Sequence, residues 1–192
     1  MKWWDRKYIN KTMPEFKKKI KLVSRDLKYK GTIMDIYQDT VEVDGHITHW
    51  DYMGKCDAAA IVPVLPNGKI VMVRQYRLAV DEWTLEIPAG KIDGDEDYLV
   101  CATRELEEEA GYKSDNIEFL CDTYTASAFC SEIVRCFVAT NLVKGKQHFD
   151  RDEEVVTEEW SLDDLKKEIY EGRLKDGKTV AAIMTYASKY SK

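Results

Sequence analysis

Residues 90–112 read GKIDGDEDYLVCATRELEEEAGY. Gly90 is followed after five residues by Glu96, after seven more by Arg104-Glu105-Leu106, and then by Glu108-Glu109 and Gly111-Tyr112. Nothing over residues 97–110 breaks a helix. Asp93, Asp95, Glu96 and Asp97 put negative charge at its start, and Gly111 can adopt the left-handed conformation that closes it. The stretch therefore predicts a helix of about four turns. At about 100° per residue, Leu99, Ala102, Thr103, Leu106 and Ala110 fall on one side, with Glu105, Glu108 and Glu109 gathered beside them. Glu107 points elsewhere.

Three carboxylates at i, i+3 and i+4 repel one another, each pair at a cost of roughly 0.2–0.5 kcal/mol in an isolated helix. Helix propensity does not ask for that arrangement. A hard divalent cation does, because Mg²⁺ or Mn²⁺ takes oxygen ligands and converts the repulsion into coordination. A solvated acidic face would explain Glu-Leu-Glu-Glu-Glu taken alone, but it does not explain Gly90, Glu96 and Arg104 at these intervals.

Outward from the helix, strands dominate. Residues 31–43 and 46–52 alternate around Asp44-Gly45, a hairpin signal. Residues 58–64 and 69–75 read as strands around Pro66-Asn67-Gly68, and 83–87 as another leading into Pro88-Ala89-Gly90. Residues 117–124, 132–139 and 155–160 complete the set, while 17–29 read as basic and irregular. Ser161 and Asp164 start a helix that Gly172 ends, and residues 179–190 form the last. This order fits an α/β/α sandwich around a mixed β-sheet over residues 56–192, with a small antiparallel β region over residues 1–55.

Composition sets outer limits. The 192 residues are 44% hydrophobic, enough for a real core, and a net charge of -6 with a pI near 5.2 argues against nucleic acid or an anionic membrane as partner. The apolar runs are too short to span a bilayer, and the N-terminal stretch has no apolar core of signal-peptide type. Cys56, Cys101, Cys121, Cys130 and Cys136 form no CxxC pair and no even disulfide set, so reduced thiols filling a core in a cytoplasmic protein are expected. His46, His49 and His148 are scattered and form no catalytic pattern.

The glycine, glutamate and REL-x-EE-x-GY pattern resembles the signature of the Nudix hydrolases. That resemblance implies that Glu105, Glu108 and Glu109 hold two or three Mg²⁺ or Mn²⁺ ions. It also implies that Arg104 orients a glutamate rather than touching substrate. The reaction would be hydrolysis of a nucleoside diphosphate linked to another group. Val73-Arg74-Gln75-Tyr76-Arg77 followed by Trp83-Thr84-Leu85-Glu86-Ile87-Pro88-Ala89-Gly90 is similar to the ADP-ribose pyrophosphatase branch, with similarity over residues 29–190. The resemblance implies substrate contacts from Arg74 and Arg77, with Arg77 on the phosphates, and a metal-binding carbonyl at Ala89. Trp50 matches a position that stacks on adenine, with Asp51 beside it as acceptor. Glu153, in the acidic loop with Asp152 and Glu154, matches the general base or a further metal ligand, and Glu132 matches a supporting carboxylate. The resemblance also implies a homodimer, since in related enzymes such an N-terminal part packs across a dimer. One departure concerns the substrate: Ala126-Ser127-Ala128 stands where many ADP-ribose enzymes carry Ser-Pro-Gly. GDP-mannose or another ADP-sugar therefore stands as an alternative substrate, and a nucleotide-binding regulatory module without turnover as an alternative class.

Overall fold

The computed structural model describes residues 19–54, 57–148 and 155–190. The chain packs as two compact units, Met1–Gly54 and Lys55–Lys192. The first holds one antiparallel sheet in the order β1 (Ile20–Lys30), β2 (Asp35–Val43) and β3 (His46–Met53). Asp44 (φ 51°) and Gly45 (φ 88°) make the two-residue turn between β2 and β3, both in the left-handed region that a type I′ turn demands. β1 corrects the reading of residues 17–29 as irregular. Its alternation is hidden for two reasons: every one of its residues is exposed, and register shifts near Leu22 and Leu27 interrupt the period of two. Arg25 and Asp39 hold β1 to β2 through two hydrogen bonds of 2.6 and 2.7 Å, and the Arg25 guanidinium lies 3.4 Å from the centre of the Tyr52 ring.

The second unit is built on β4 (Ala58–Pro63), whose sequence AAAIVP is a short continuous apolar run buried on both faces. It lies parallel to β10 (Ile133–Thr140) in a mixed sheet ordered β7-β4-β10-β9, with β7 (Ala89–Lys91) and β9 (Asn116–Tyr124) antiparallel to their neighbours. A second, antiparallel sheet runs β12-β5-β6, formed by β5 (Ile70–Arg77), β6 (Glu82–Glu86) and β12 (Val155–Trp160). A short ribbon pairs β8 (Tyr112–Lys113) with β11 (Val143–Lys144). Alternate residues of β4 serve two cores. Ala59 and Ile61 pack with Cys101, Ala102 and Leu106 of α1 (Tyr98–Glu108). Ala60 and Val62 share a core with Leu165 of α2 (Leu162–Tyr170) and Ala182 and Ile183 of α3 (Gly177–Tyr190). Helices thus cover both sides of the strands, an α/β/α sandwich.

The helix α1 starts where its cap allows. Asp97 accepts from Leu99 N at 2.8 Å, and Gly111, at φ 73°, donates to Glu107 O at 3.0 Å to end it. At 11 residues it makes three turns rather than four. Its buried arc is also rotated from the expected one. Leu99 is 43% exposed and Thr103 is exposed, while Cys101, Glu105 and Glu109 are buried. The reason is that β7 and the chain entering it cover the carboxylate side of the helix, so that side, and not the leucine, enters the interior.

Candidate active site

The turn of chain at Ala89-Gly90 and the C-terminal half of α1 form the centre of the site. A Cβ on Gly90 would lie 1.7 Å from Glu105 Oε1 and 2.3 Å from its Cδ, so the Glu105 carboxylate occupies the space that any other residue would fill. Ala89 N donates to Glu109 Oε2 at 2.8 Å. Glu105 and Glu109 are 6% and 5% exposed, which is unusual for carboxylates and costly without counter-charge. Arg104 provides much of it. Its Nη1 donates to Glu105 Oε1 at 2.6 Å and Glu108 Oε2 at 2.9 Å. Its Nε and Nη2 donate to the two oxygens of Glu96 at 3.3 and 3.2 Å, and Nη2 also reaches Lys91 O at 3.1 Å. Hydrogen bonding from Arg104 holds Glu96 below the usual carboxylate range, and the same pairing raises the Arg104 pKa. Glu96, Arg104, Glu105 and Glu108, read from spacing, are therefore one hydrogen-bonded constellation, with Gly90 packed against the Glu105 carboxylate. Burial pushes the neighbouring Cys101 thiol up to about 12, which leaves it an inert core residue.

Glu105, Glu108 and Glu109 are hard oxygen donors of the kind that divalent ions take, and two of them are already desolvated beside the Gly90 cradle. The donor chemistry fits such an ion. Among the described residues, no three Asp, Glu, His or Cys side chains stand together as a finished cage. Arg104 provides counter-charge to Glu105 and Glu108, and Ala89 N is hydrogen-bonded to Glu109.

Arg77, at the end of β5, donates from Nε and Nη2 to the two oxygens of Glu86 at 2.7 and 2.8 Å. Glu86 also accepts from Thr84 Oγ1 at 2.6 Å and from Lys178 Nζ of α3. Burial alone would raise the Glu86 pKa, but Arg77, Lys178 and Thr84 outweigh it and bring it down to about 2. Arg74 does not join this group. Three residues from Arg77 on a regular strand, it leaves β5 on the opposite face, where it forms a bidentate pair with Glu158 of β12, Nη2 to Oε2 at 3.1 Å. Trp50, 45% exposed, and Asp51 lie on β3 of the first unit, opposite Asp39 and Gln38. Glu153, with Asp152 and Glu154, lies outside the described residues. The chain leading toward it is bound to the end of α1, with His148 N on Glu108 O at 3.2 Å and Gln147 Nε2 on Glu109 O at 2.8 Å. Glu132 is half-buried, its N–H on Cys130 Sγ at 3.3 Å.

Sequence reading passed over Glu86, Asp176 and Lys178. The only local signal for Glu86 is an acid set between Leu85 and Ile87, both of which are buried. Asp176 carries only a helix-cap signal, accepting from Thr179 N at 3.0 Å, and for Lys178 there is none, since Glu86 is 92 positions away.

A family model for the NUDIX domain matches residues 54–182. The chain belongs to the NUDIX family. It is 36% identical over 166 residues to the methanol dehydrogenase activator of Bacillus methanolicus, covering 85% of this chain and 90% of that one. It is 34% identical, with the same coverage, to the ADP-ribose pyrophosphatase of Bacillus subtilis. Among solved structures, an ADP compounds hydrolase superposes with a TM-score of 0.80, covering 88% of this chain and 93% of that one. At 20% identity that likeness speaks for the NUDIX fold alone. NUDIX hydrolases in general use divalent metal ions. The constellation of Gly90, Glu96, Arg104, Glu105, Glu108 and Glu109 is where the NUDIX signature lies in this chain.

Proposed function

We propose that this NUDIX chain hydrolyses the pyrophosphate bond of a nucleoside diphosphate sugar, with ADP-ribose as the preferred substrate and AMP and ribose 5-phosphate as products. The observation that carries this reading is the buried carboxylate pair Glu105, set against the Gly90 cradle and bonded by Arg104, and Glu109, bonded by Ala89 N. A structural protein gains nothing from desolvating two acids in this way. Glu105, Glu108, Glu109 and the Ala89 carbonyl would hold two or three Mg²⁺ or Mn²⁺ ions, and Glu153 would add a ligand. Such ions neutralise a diphosphate and activate a water for attack on phosphorus.

The chain's own residues do the rest. Arg104 keeps Glu105 and Glu108 aligned on one face of α1. Arg77 clamps the diphosphate oxygens with its planar fork. Trp50 stacks on the base, and Asp51 accepts from its exocyclic amino group. Glu153 accepts the proton of the attacking water. A homodimer formed through the N-terminal sheet is supported by the apolar side chains that sheet exposes, Leu22, Leu27, Tyr29 and Ile47 among them. A cytoplasmic setting is supported by the free cysteines among the described residues, Cys101, Cys121, Cys130 and Cys136. No helix among the described residues is long and apolar enough to cross a membrane.

The test is phosphate release with Mg²⁺ and a coupled phosphatase across ADP-ribose, ADP-glucose, GDP-mannose, UDP-glucose, dinucleoside polyphosphates, coenzyme A and nucleoside triphosphates. Preference for ADP-ribose is expected. Preference for GDP-mannose would keep the chemistry and replace the substrate. The likeness to an activator protein favours one second reading, in which the domain binds a nucleotide and acts on another protein. Tight binding of a nucleotide with no turnover of any compound would select that reading.

A further inference from the structure

Glu86 is the most buried carboxylate among the described residues, at 3% exposure, and two cations of different character share it. Arg77 approaches from the open side: its side chain is 43% exposed, and Nε and Nη2 take one oxygen each. That bidentate grip fixes the plane of the guanidinium and turns its Nη1 edge away from Glu86. Lys178 approaches from the first turn of α3, only 16% exposed, and reaches Glu86 Oε2 while also donating to Asp176 at 3.1 Å. The same turn of α3 is anchored to the chain leading to Ala89. Thr179, fully buried, accepts from Ile87 N at 3.0 Å and donates to Asp176 at 2.5 Å. Arg77, Lys178, Glu86 and Asp176 thus form a group of zero net charge in which only Arg77 is well exposed.

A bidentate carboxylate orients an arginine but also neutralises it. An arginine meant to hold a diphosphate needs the orientation and must keep its charge. Lys178, itself shared with Asp176, reconciles the two requirements in part by giving Glu86 a second, buried counter-ion and so lessening its draw on Arg77. The Arg77 guanidinium also feels the charge of Glu109, which puts this group in electrostatic reach of the C-terminal end of α1.

We infer that Lys178 is a positioning residue for the phosphate clamp: as the buried counter-ion of Glu86, it lets Glu86 aim Arg77 without consuming the charge that binds the diphosphate. This rests on the reading of Arg77 as a phosphate ligand. Steady-state kinetics with the best substrate of the panel, alongside thermal unfolding, test it in Arg77→Ala, Lys178→Met, Lys178→Arg and the double variant Glu86→Gln/Lys178→Met. Lys178→Met should raise KM about tenfold or more with kcat within about threefold, as loss of ground-state anion binding does. Lys178→Arg should restore KM. The double variant should also return KM toward that of the unmodified protein, because an amide at position 86 keeps one carbonyl oxygen to accept from Arg77 but no longer draws on its charge.

A residue serving only the fold would instead leave the double variant as impaired as the single one. An unchanged KM in Lys178→Met, or no recovery in the double variant, overturns the inference while Arg77→Ala still raises KM. An unchanged KM in Arg77→Ala sinks the clamp itself and this inference with it. Should Lys178→Met fail to fold, the double variant decides alone. A KM near that of the unmodified protein supports the inference, and a tenfold rise refutes it.

Discussion

Replacing Gly90 by alanine would separate the chemistry of this protein from its stability. The backbone at Gly90 is not in the left-handed region, so an alanine there meets no conformational penalty. What the new Cβ meets is the Glu105 carboxylate, with Oε1 at 1.7 Å and Cδ at 2.3 Å. To regain an ordinary contact of 3.4 Å, that oxygen must retreat by the difference from 1.7 Å, about 1.7 Å. Retreat breaks the 2.6 Å bond to Arg104 Nη1 and removes the carboxylate from its place beside Glu108. Overpacking of this kind costs about 1–3 kcal/mol, which in a chain of this size lowers Tm by roughly 2–12 °C. The functional loss should be far larger, since misplacing a catalytic group by about 1 Å can cost about a hundredfold in rate. Gly90→Ala should therefore stay folded by circular dichroism and thermal unfolding, while kcat with Mg²⁺ falls by about a hundredfold or more. A kcat within about threefold of the unmodified protein, with Tm nearly unchanged, would show that the position of the Glu105 carboxylate does not matter.

Other perturbations follow from the same geometry. Glu108→Gln keeps the shape of a side chain that is 39% exposed, so Tm should barely move while turnover drops by about a hundredfold or more, and near-normal activity would remove Glu108 from the metal site. Trp50→Ala should raise KM for an adenine nucleotide by about five- to tenfold at little cost in kcat, and an unchanged KM would take Trp50 out of the base site. Glu86 has its folded pKa lowered from 4.5 to about 2, so its contribution to stability is present above pH 4.5 and is lost as pH falls through about 2. That shift corresponds to about 3 kcal/mol. The Tm gap between the unmodified protein and Glu86→Gln should accordingly be widest above pH 4.5 and close on acidification toward pH 2. A gap that stays constant over this range would mean that the pairing with Arg77 and Lys178 contributes nothing to it.

Where the relevant interactions span only a few residues, the sequence was legible. The spacing from Gly90 to Tyr112 placed Arg104, Glu105 and Glu108 on one helix with Glu109 at its C-cap, because their relation depends only on helical geometry. The helix ends at Gly111 and Gly172, the capped start at Ser161 and the turn at Asp44-Gly45 were readable for the same reason. β12 came out with the expected bounds, whereas β1 did not, because an edge strand with both faces exposed and its register twice shifted carries no periodic signal. The three-residue β7 and the two-residue β8 and β11 are too short to show any period at all.

The sequence by itself thus determined the family, the sandwich of strands and helices, and which side chains share the face of α1. Only the tertiary structure decided how that face is used. Burial of Glu105 and Glu109 depends on β7 crossing over them. The separation of Arg74 from Arg77 becomes plain once Glu158 and Glu86 are seen to hold them on opposite faces of β5. The pairing of Lys178 with Glu86, 92 positions away, exists because α3 docks its first turn against the end of β6. Hydrogen bonds within a turn or cap are encoded by residues that are neighbours in the chain. Charge pairs in a low-dielectric interior depend on which elements packing brings together, and that information is spread over the whole core.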